Sequence, residues 1–259
     1  MGLQENYILT LASMNTRIGK RGDEEFRKIE IDKNPIEKAE GSARVKIGKT
    51  DVLVGVKLGV GEPFSDKEDE GILMTGAELN PLASLDFELG PPREEAIELA
   101  RVIDRGIRES HAVDLKKLCI RKGEKVWMVF IDINILNHDG NLMDAAGLAA
   151  IIALSNTKML EYKDDKIVYE KKKGDLPLNN KPISITFAKI SSPKNNVSKI
   201  IVDPSRDEEK AMTGRLTVTT TDKGNVCAMQ KGGSSFTLEE IYKAVDIAIK
   251  KGQELRKMI

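Results

Sequence analysis

The chain has 259 residues, enough to bury a substantial core in one large domain or two small ones. Its 41 basic and 41 acidic side chains cancel, which excludes binding of a polyanion by bulk positive charge and leaves only a local or shared patch. Charged residues make up 32% and aromatics 4%, so a solvated protein with aliphatic layers is expected, without a platform of interleaved aromatics for stacking bases.

Residues 1–20 read as a helical or loosely ordered arm that ends in Arg17–Gly22, and Phe26–Ile31 alternates as a strand does. No long apolar core follows a basic segment here, so a secretory signal is not expected. Gly41–Ile47 and Val52–Leu58 predict a hairpin with Gly48–Asp51 as its turn. An acidic loop at 62–71 leads to a strand at Ile72–Leu79. Gly90-Pro91-Pro92 then opens a helix over about 93–110. Val126–Ile135 is a continuous apolar run, expected as a central strand buried on both faces. The helix at 142–157 is apolar nearly all round, which marks it as the buried central helix. Residues 162–174, with Lys171–Lys173, are most simply a solvated hairpin loop, a nucleic-acid role being the other reading.

Strands at Pro182–Lys189, Lys199–Asp203, Gly214–Thr220 and Val226–Met229 restart the pattern. A helix from Thr237 to Met258 closes it, with Thr237 and Glu240 as a capping box. The order predicts α+β layers. No low-complexity linker is present, so a 1–22 arm, a first half over 23–180 and a second half over 181–259 should pack as one body. No stretch approaches the roughly 20 apolar residues that span a bilayer. Cys119 and Cys227 lie far apart in apolar runs and read as reduced core residues of a cytosolic protein.

Arg101, Arg105 and Arg108 fall within about 60° on the wheel of the 93–110 helix, opposite Leu99, Ala100, Val102, Ile103 and Ile107. Guanidinium groups match phosphate oxygens bidentately, so such a stripe suits a polyanion. Its bland reading is a surface helix laced by pairs of Glu98 with Arg101 and Asp104 with Arg108. Asp139-Gly140-Asn141-Leu142 opens the buried helix. Its free amides could hold phosphate, but no hydroxyl or cation follows Gly140, so capping is the stronger reading. The Asp203–Glu209 segment could supply carboxylates to acid chemistry or a metal, or be an acidic turn. His111 and His138 lie in no metal-spaced pair, so zinc is not expected. Gly48-Lys49-Thr50 lacks the glycine-rich lead of a phosphate loop, and no dinucleotide fingerprint or nucleophile elbow is present.

Several stretches together resemble the RNase PH family. They are Glu40–Thr50, Gly90–Pro92 with Ile97–Arg105, Val126-Trp127, Asp139–Ala145, Leu176–Leu178 and Val202–Pro204. Within it the chain is similar to the non-catalytic branch found in the archaeal exosome. The resemblance implies an RNase PH-like α+β fold of two pseudo-repeated β-α-β-type halves around a buried central helix. It implies a hexameric ring, a trimer of heterodimers, in which such a chain alternates with a catalytic sister and carries RNA-binding cap proteins. That ring degrades single-stranded RNA from its 3′ end using phosphate, in the cytoplasm, with no membrane and no cofactor of this chain's own. Active members hold the phosphate with Gly-Ser/Thr-Arg where this sequence has Gly140-Asn141-Leu142. They also carry two aspartates six apart, where this sequence has Asp203 and Glu209. The resemblance therefore implies no catalytic residue and no metal here, while Arg101 and Arg105 bind RNA phosphates and Arg108 shares their face. The family's Asp-Gly-Arg near the N-terminus reads Gly19-Lys20-Arg21-Gly22 instead. The competing expectations are a metal-dependent phosphorolytic ribonuclease using Asp203 and Glu209, and a scaffold without RNA contacts.

Overall fold

Six strands build the larger of two main sheets, and a helix seals it against the other. The computed structural model describes residues 3–192 and 197–259. Strands β1 (Ile29–Lys33), β2 (Gly41–Ile47), β3 (Thr50–Gly61), β4 (Ile72–Leu79) and β6 (Lys125–Asn137) lie in the order β1-β2-β3-β6-β4, with β5 (Cys119–Arg121) paired to β6. Only β4 runs parallel to its neighbour, with Ile72 beside Met128 and Leu79 beside Ile135. A connection between parallel strands must cross over the sheet. Here it carries α2 (Glu94–Glu109), the helix of the arginine face.

The first strand starts three residues later than expected. The turn between β2 and β3 is also tighter: Thr50 and Asp51 are already paired, leaving Gly48, at φ 60°, and Lys49 to reverse the chain. Strand β6 also departs from its expectation of burial on both faces. Val129, Ile131, Ile133 and Ile135 are fully buried, whereas Phe130 and Asn134 are half-buried and Asp132 is exposed. The apolar run hides a period-2 surface, because Met128, Phe130 and Leu136 are hydrophobic residues placed on the more open face.

Helix α3 (Leu142–Asn156) lies on the closed face, and its buried residues from Met143 to Leu154 include five alanines that let it sit close to β2 and β3. A Cβ on Gly41 would collide with Thr157 and the backbone of Ala153, so this contact requires glycine. The second main sheet runs β10-β9-β11-β12, from β9 (Ile183–Ser192), β10 (Val197–Val202), β11 (Gly214–Thr220) and β12 (Val226–Gly233). A separate hairpin, β7 (Lys158–Lys163) with β8 (Lys166–Asp175), carries the lysine-rich segment. One hydrophobic core runs through both main sheets, from Ala43 and Val45 to Ala248 and Leu255.

Helix α1 (Leu3–Ser13) is docked through Ile8, Leu9 and Ala12 on Ala188, Ile190 and Ile201 of the second main sheet. Helix α5 (Leu238–Arg256) closes the chain, and the Thr237–Glu240 capping box is formed. The acidic segment is not a turn: it holds helix α4 (Arg206–Ala211), capped reciprocally by Ser205 and Glu208. Cys119 and Cys227 are free and half-buried rather than in the core, because both sit on short or edge strands of their sheets. No helix among the described residues is long and apolar enough to cross a membrane.

Candidate functional site

Helix α2 begins at Arg93, an extended residue without a side-chain cap, and Glu94 and Glu95 complement its positive end. Its buried stripe is Ala96, Leu99, Ala100, Val102, Ile103, Gly106 and Ile107, which leaves Arg101, Arg105 and Arg108 on the exposed side. The three arginines differ in their partners. Arg108 donates from Nε and Nη2 to the two carboxylate oxygens of Asp104, both at 3.0 Å, and from Nη2 to the carbonyl of Leu73 at 3.0 Å. Its charge is compensated and its direction set. Arg105 donates from Nη1 only to the amide oxygen of Gln230 at 3.4 Å. Arg101 has no hydrogen-bond or ion-pair partner among the described residues. The expected pair of Glu98 with Arg101 does not form, because Glu98 is taken by Arg215 at 2.6 Å from the second sheet.

The other place where an anion could sit is the N-terminus of α3, and it is filled from within. The cap residue Asn141 is left-handed, at φ 57° and ψ 49°, and its side chain makes no capping bond. Its backbone amide instead donates to Oε1 of Glu209 at 2.8 Å, so a carboxylate from α4 does the capping that was expected of the local residues. Burial pushes the Glu209 carboxyl up. Arg206, one turn away, lies 3.5 Å from its other oxygen.

The side chain of Asn141 donates to Asp144 and to Asp203, each at 2.9 Å. Asp203 is wholly buried, in the left-handed region at φ 50°. Its Oδ1 accepts from Arg27 Nη2 at 2.8 Å and from Asn141. Its Oδ2 accepts from the Arg27 amide at 2.8 Å, Arg27 Nε at 2.9 Å and Arg21 Nη1 at 3.0 Å. Burial alone would raise this carboxyl, but the hydrogen bonds and charge of Arg27 hold it below its ordinary value. Every lone pair of Asp203 has a donor, so none is left to ligate a metal. Among the described residues no three His, Cys, Asp or Glu side chains are grouped to hold one.

Arg17 extends the network by gripping Glu208 with two bonds of 2.9 Å. The altered Gly19-Lys20-Arg21 stretch thus delivers Arg21 to Asp203 and lies beside Arg17. Thr50 ties β3 to this corner, donating to the carbonyl of Gly140 at 2.6 Å. Burial, with the charge of Arg206, drives His138 down to about 4, so it is neutral and its 4.0 Å approach to Glu209 is not an ion pair. Its Nδ1 accepts the amide of Gly140 at 3.3 Å, which agrees with a neutral ring. Between α4 and α2 a cavity of about 240 Å³ remains, lined among others by Glu98, His138, Asn141, Glu209 and Arg215.

Arg17, Arg27, Asp144 and Glu208 were not singled out by sequence reasoning. Their partners lie 176 and 191 positions away for Arg27 with Asp203 and Arg17 with Glu208, and no local spacing signals such pairs. The one available hint was a buried-helix first turn carrying an aspartate, Asp144, where its period offered no solvent.

Comparison with known proteins places these features in a family. The family model for the 3′ exoribonuclease family, domain 1 (RNase PH), matches residues 25–159, and that for domain 2 matches residues 180–251. The exosome complex component Rrp42 of Thermococcus gammatolerans is 53% identical over 263 residues, covering 100% of this chain and 94% of that protein. Its counterpart from Methanosarcina acetivorans is 50% identical over 98% of this chain and 92% of its own length. Among solved structures, a chain of the Archaeoglobus fulgidus exosome with RNA bound to the active site superimposes with a TM-score of 0.90 at 48% identity, covering 99% of this chain and 97% of the other. A chain of an archaeal exosome core gives 0.86 at 44% identity, over 99% and 96%. The chain belongs to the RNase PH family of 3′ exoribonucleases and has its mixed α/β fold.

Proposed function

We propose that this chain is a non-catalytic subunit of a phosphorolytic 3′→5′ exoribonuclease ring, the core of an exosome, and that it holds RNA beside the active site of a catalytic sister. The observation that carries this reading is the filled N-terminus of α3. Where a phosphate would need free amides, a hydroxyl and a cation, Glu209 occupies the Asn141 amide, and Asn141 and Leu142 bring neither hydroxyl nor guanidinium. Asp203, the one matching carboxylate, is saturated by Arg21, Arg27 and Asn141. That arrangement argues against the metal-dependent ribonuclease.

Arg101 and Arg105 point the other way. Their charges are uncompensated on an exposed helix face, whereas a pure scaffold would pair them as Asp104 pairs Arg108. In the sister, inorganic phosphate attacks the terminal phosphodiester phosphorus, and a nucleoside diphosphate leaves as the RNA regains a 3′ hydroxyl. This chain's part is to orient the strand. A 1–22 arm and halves over 23–180 and 181–259 serve an assembly of three heterodimers with RNA-binding caps, in the cytoplasm. An incomplete surface supports assembly: Leu82, Leu85 and Leu89 are 90%, 103% and 86% exposed, more apolar side chain than a free monomer normally displays on one loop.

The test is phosphorolysis. The purified chain given single-stranded RNA, phosphate and magnesium should release no nucleoside diphosphate, while the chain co-expressed with a catalytic RNase PH-like sister should release it. Diphosphate release by the chain alone would overturn the reading.

A further inference from the structure

We propose that Gln230 is a positioning residue for the RNA site, holding the Arg105 guanidinium in place without neutralising it. This rests on the reading of Arg105 as a phosphate contact and deepens it.

Gln230 lies on β12, the edge strand of the second sheet, where α2 crosses it. Its amide oxygen accepts from Arg105 Nη1 at 3.4 Å, and its amide nitrogen donates to Oε1 of Glu98 at 3.4 Å. Only one of the two amide orientations puts the oxygen toward the cation and the nitrogen toward the carboxylate, so the charges on either side fix the flip. Glu98 is in turn held by Arg215 at 2.6 Å. The chain Arg215–Glu98–Gln230–Arg105 therefore runs from the cavity at α3 out to the exposed arginine face.

The contrast with Arg108 shows why a neutral amide matters. Asp104 directs Arg108 and also cancels its charge, leaving little for a phosphate. A primary amide is a weaker acceptor than a carboxylate. It restricts where the long arginine side chain points, lowering the ordering cost on binding, yet yields readily to a phosphate oxygen. Arg105 is thus pre-aimed and still fully charged, while Arg101 is free.

The experiment uses the chain assembled with its catalytic RNase PH-like sister and follows phosphorolysis of a fluorescein-labelled oligoadenylate. Gln230→Met keeps the side-chain volume on a half-buried strand position and removes both hydrogen bonds. The expected result is a KM for RNA raised about three- to fivefold at unchanged kcat, with assembly mass and thermal unfolding unchanged. In an Arg105→Ala background the same substitution should change nothing. Gln230→Glu should raise KM further than Gln230→Met, since it imposes on Arg105 the neutralisation that Asp104 imposes on Arg108. An unchanged KM for Gln230→Met, or an equal increase with and without Arg105, would overturn the proposal while leaving the RNA role of Arg105 standing. An unchanged KM for Arg105→Ala alone would instead bring down the underlying reading, and this proposal with it.

Discussion

Three arginines share one face of α2, and three different surroundings leave them with different partners. Spacing put Arg101, Arg105 and Arg108 on one side of a helix, because a 3.6-residue period is enough for that. It could not rank them, since rank depends on Asp104, Gln230 and Glu98, and the last two meet across 132 residues. The same holds for Asp144, which no motif marks and which the fold buries completely. Burial pushes its carboxyl up to about 7, against the hydrogen bonds from Asn141 and Thr186. The folded state therefore keeps a proton that the unfolded chain, titrating near 3.9, has already lost. From this group, stability is full below about pH 4 and declines as pH rises toward 7, by at most about 4 kcal/mol. His138 works in the opposite sense: its value near 4 contributes stability above about pH 6.5 that is lost as pH falls toward 4. Asp144→Asn retains an acceptor for Asn141 and Thr186 and has no ionisable carboxyl. Thermal unfolding across pH should show the variant more stable than the parent at pH 8, with little difference at pH 4. A parent and variant that respond alike to pH would rule out a protonated Asp144.

The start of α3 ties three elements together. Its existence and burial were legible from composition alone, because a run of Ala, Ile and Leu without a polar stripe has nowhere to go but the core. Its cap was not legible. Asp139-Gly140-Asn141 looked like a self-capping start, but the capping group comes from α4, whose segment read either as a source of carboxylates or as an acidic turn. Strand β6 misled for a related reason: hydrophobic residues on its open face masked the alternation that the ladder imposes. Gly140 is where α3, α4 and β3 converge. At φ 88° it adopts a backbone that L side chains rarely take, and a Cβ would meet the backbone of Pro204, Ser205 and Arg206. Gly140→Ala should lower stability by about 2 kcal/mol or more, read from denaturant unfolding, because strain and overlap add. A loss under about 0.5 kcal/mol would mean that the α3–α4 junction is looser than its geometry shows.

For the molecule as a whole, zero net charge removes nonspecific attraction to a polyanion, so the proposed RNA contact rests on the short row of arginines on α2. The chain's own anion site is closed by Glu209, and its matching aspartate is spent on Arg21 and Arg27. The family fold was legible because its motifs recur in order along nearly the whole sequence. The proposed silence of the site was legible only as a missing hydroxyl and guanidinium at 141 and 142; that Glu209 takes the Asn141 amide instead needed the fold. The central claim is that Arg101 and Arg105 hold RNA for a neighbouring active site. Its most direct measurement is the affinity of the intact complex, chain plus catalytic sister, for single-stranded RNA across a salt series, with and without Arg101→Ala and Arg105→Ala together. The double variant should bind about tenfold more weakly at low salt, with a salt slope shallower by about 1.4 units for two lost phosphate contacts and an unchanged assembly mass. Equal affinity and equal slope in an intact double variant would contradict that claim.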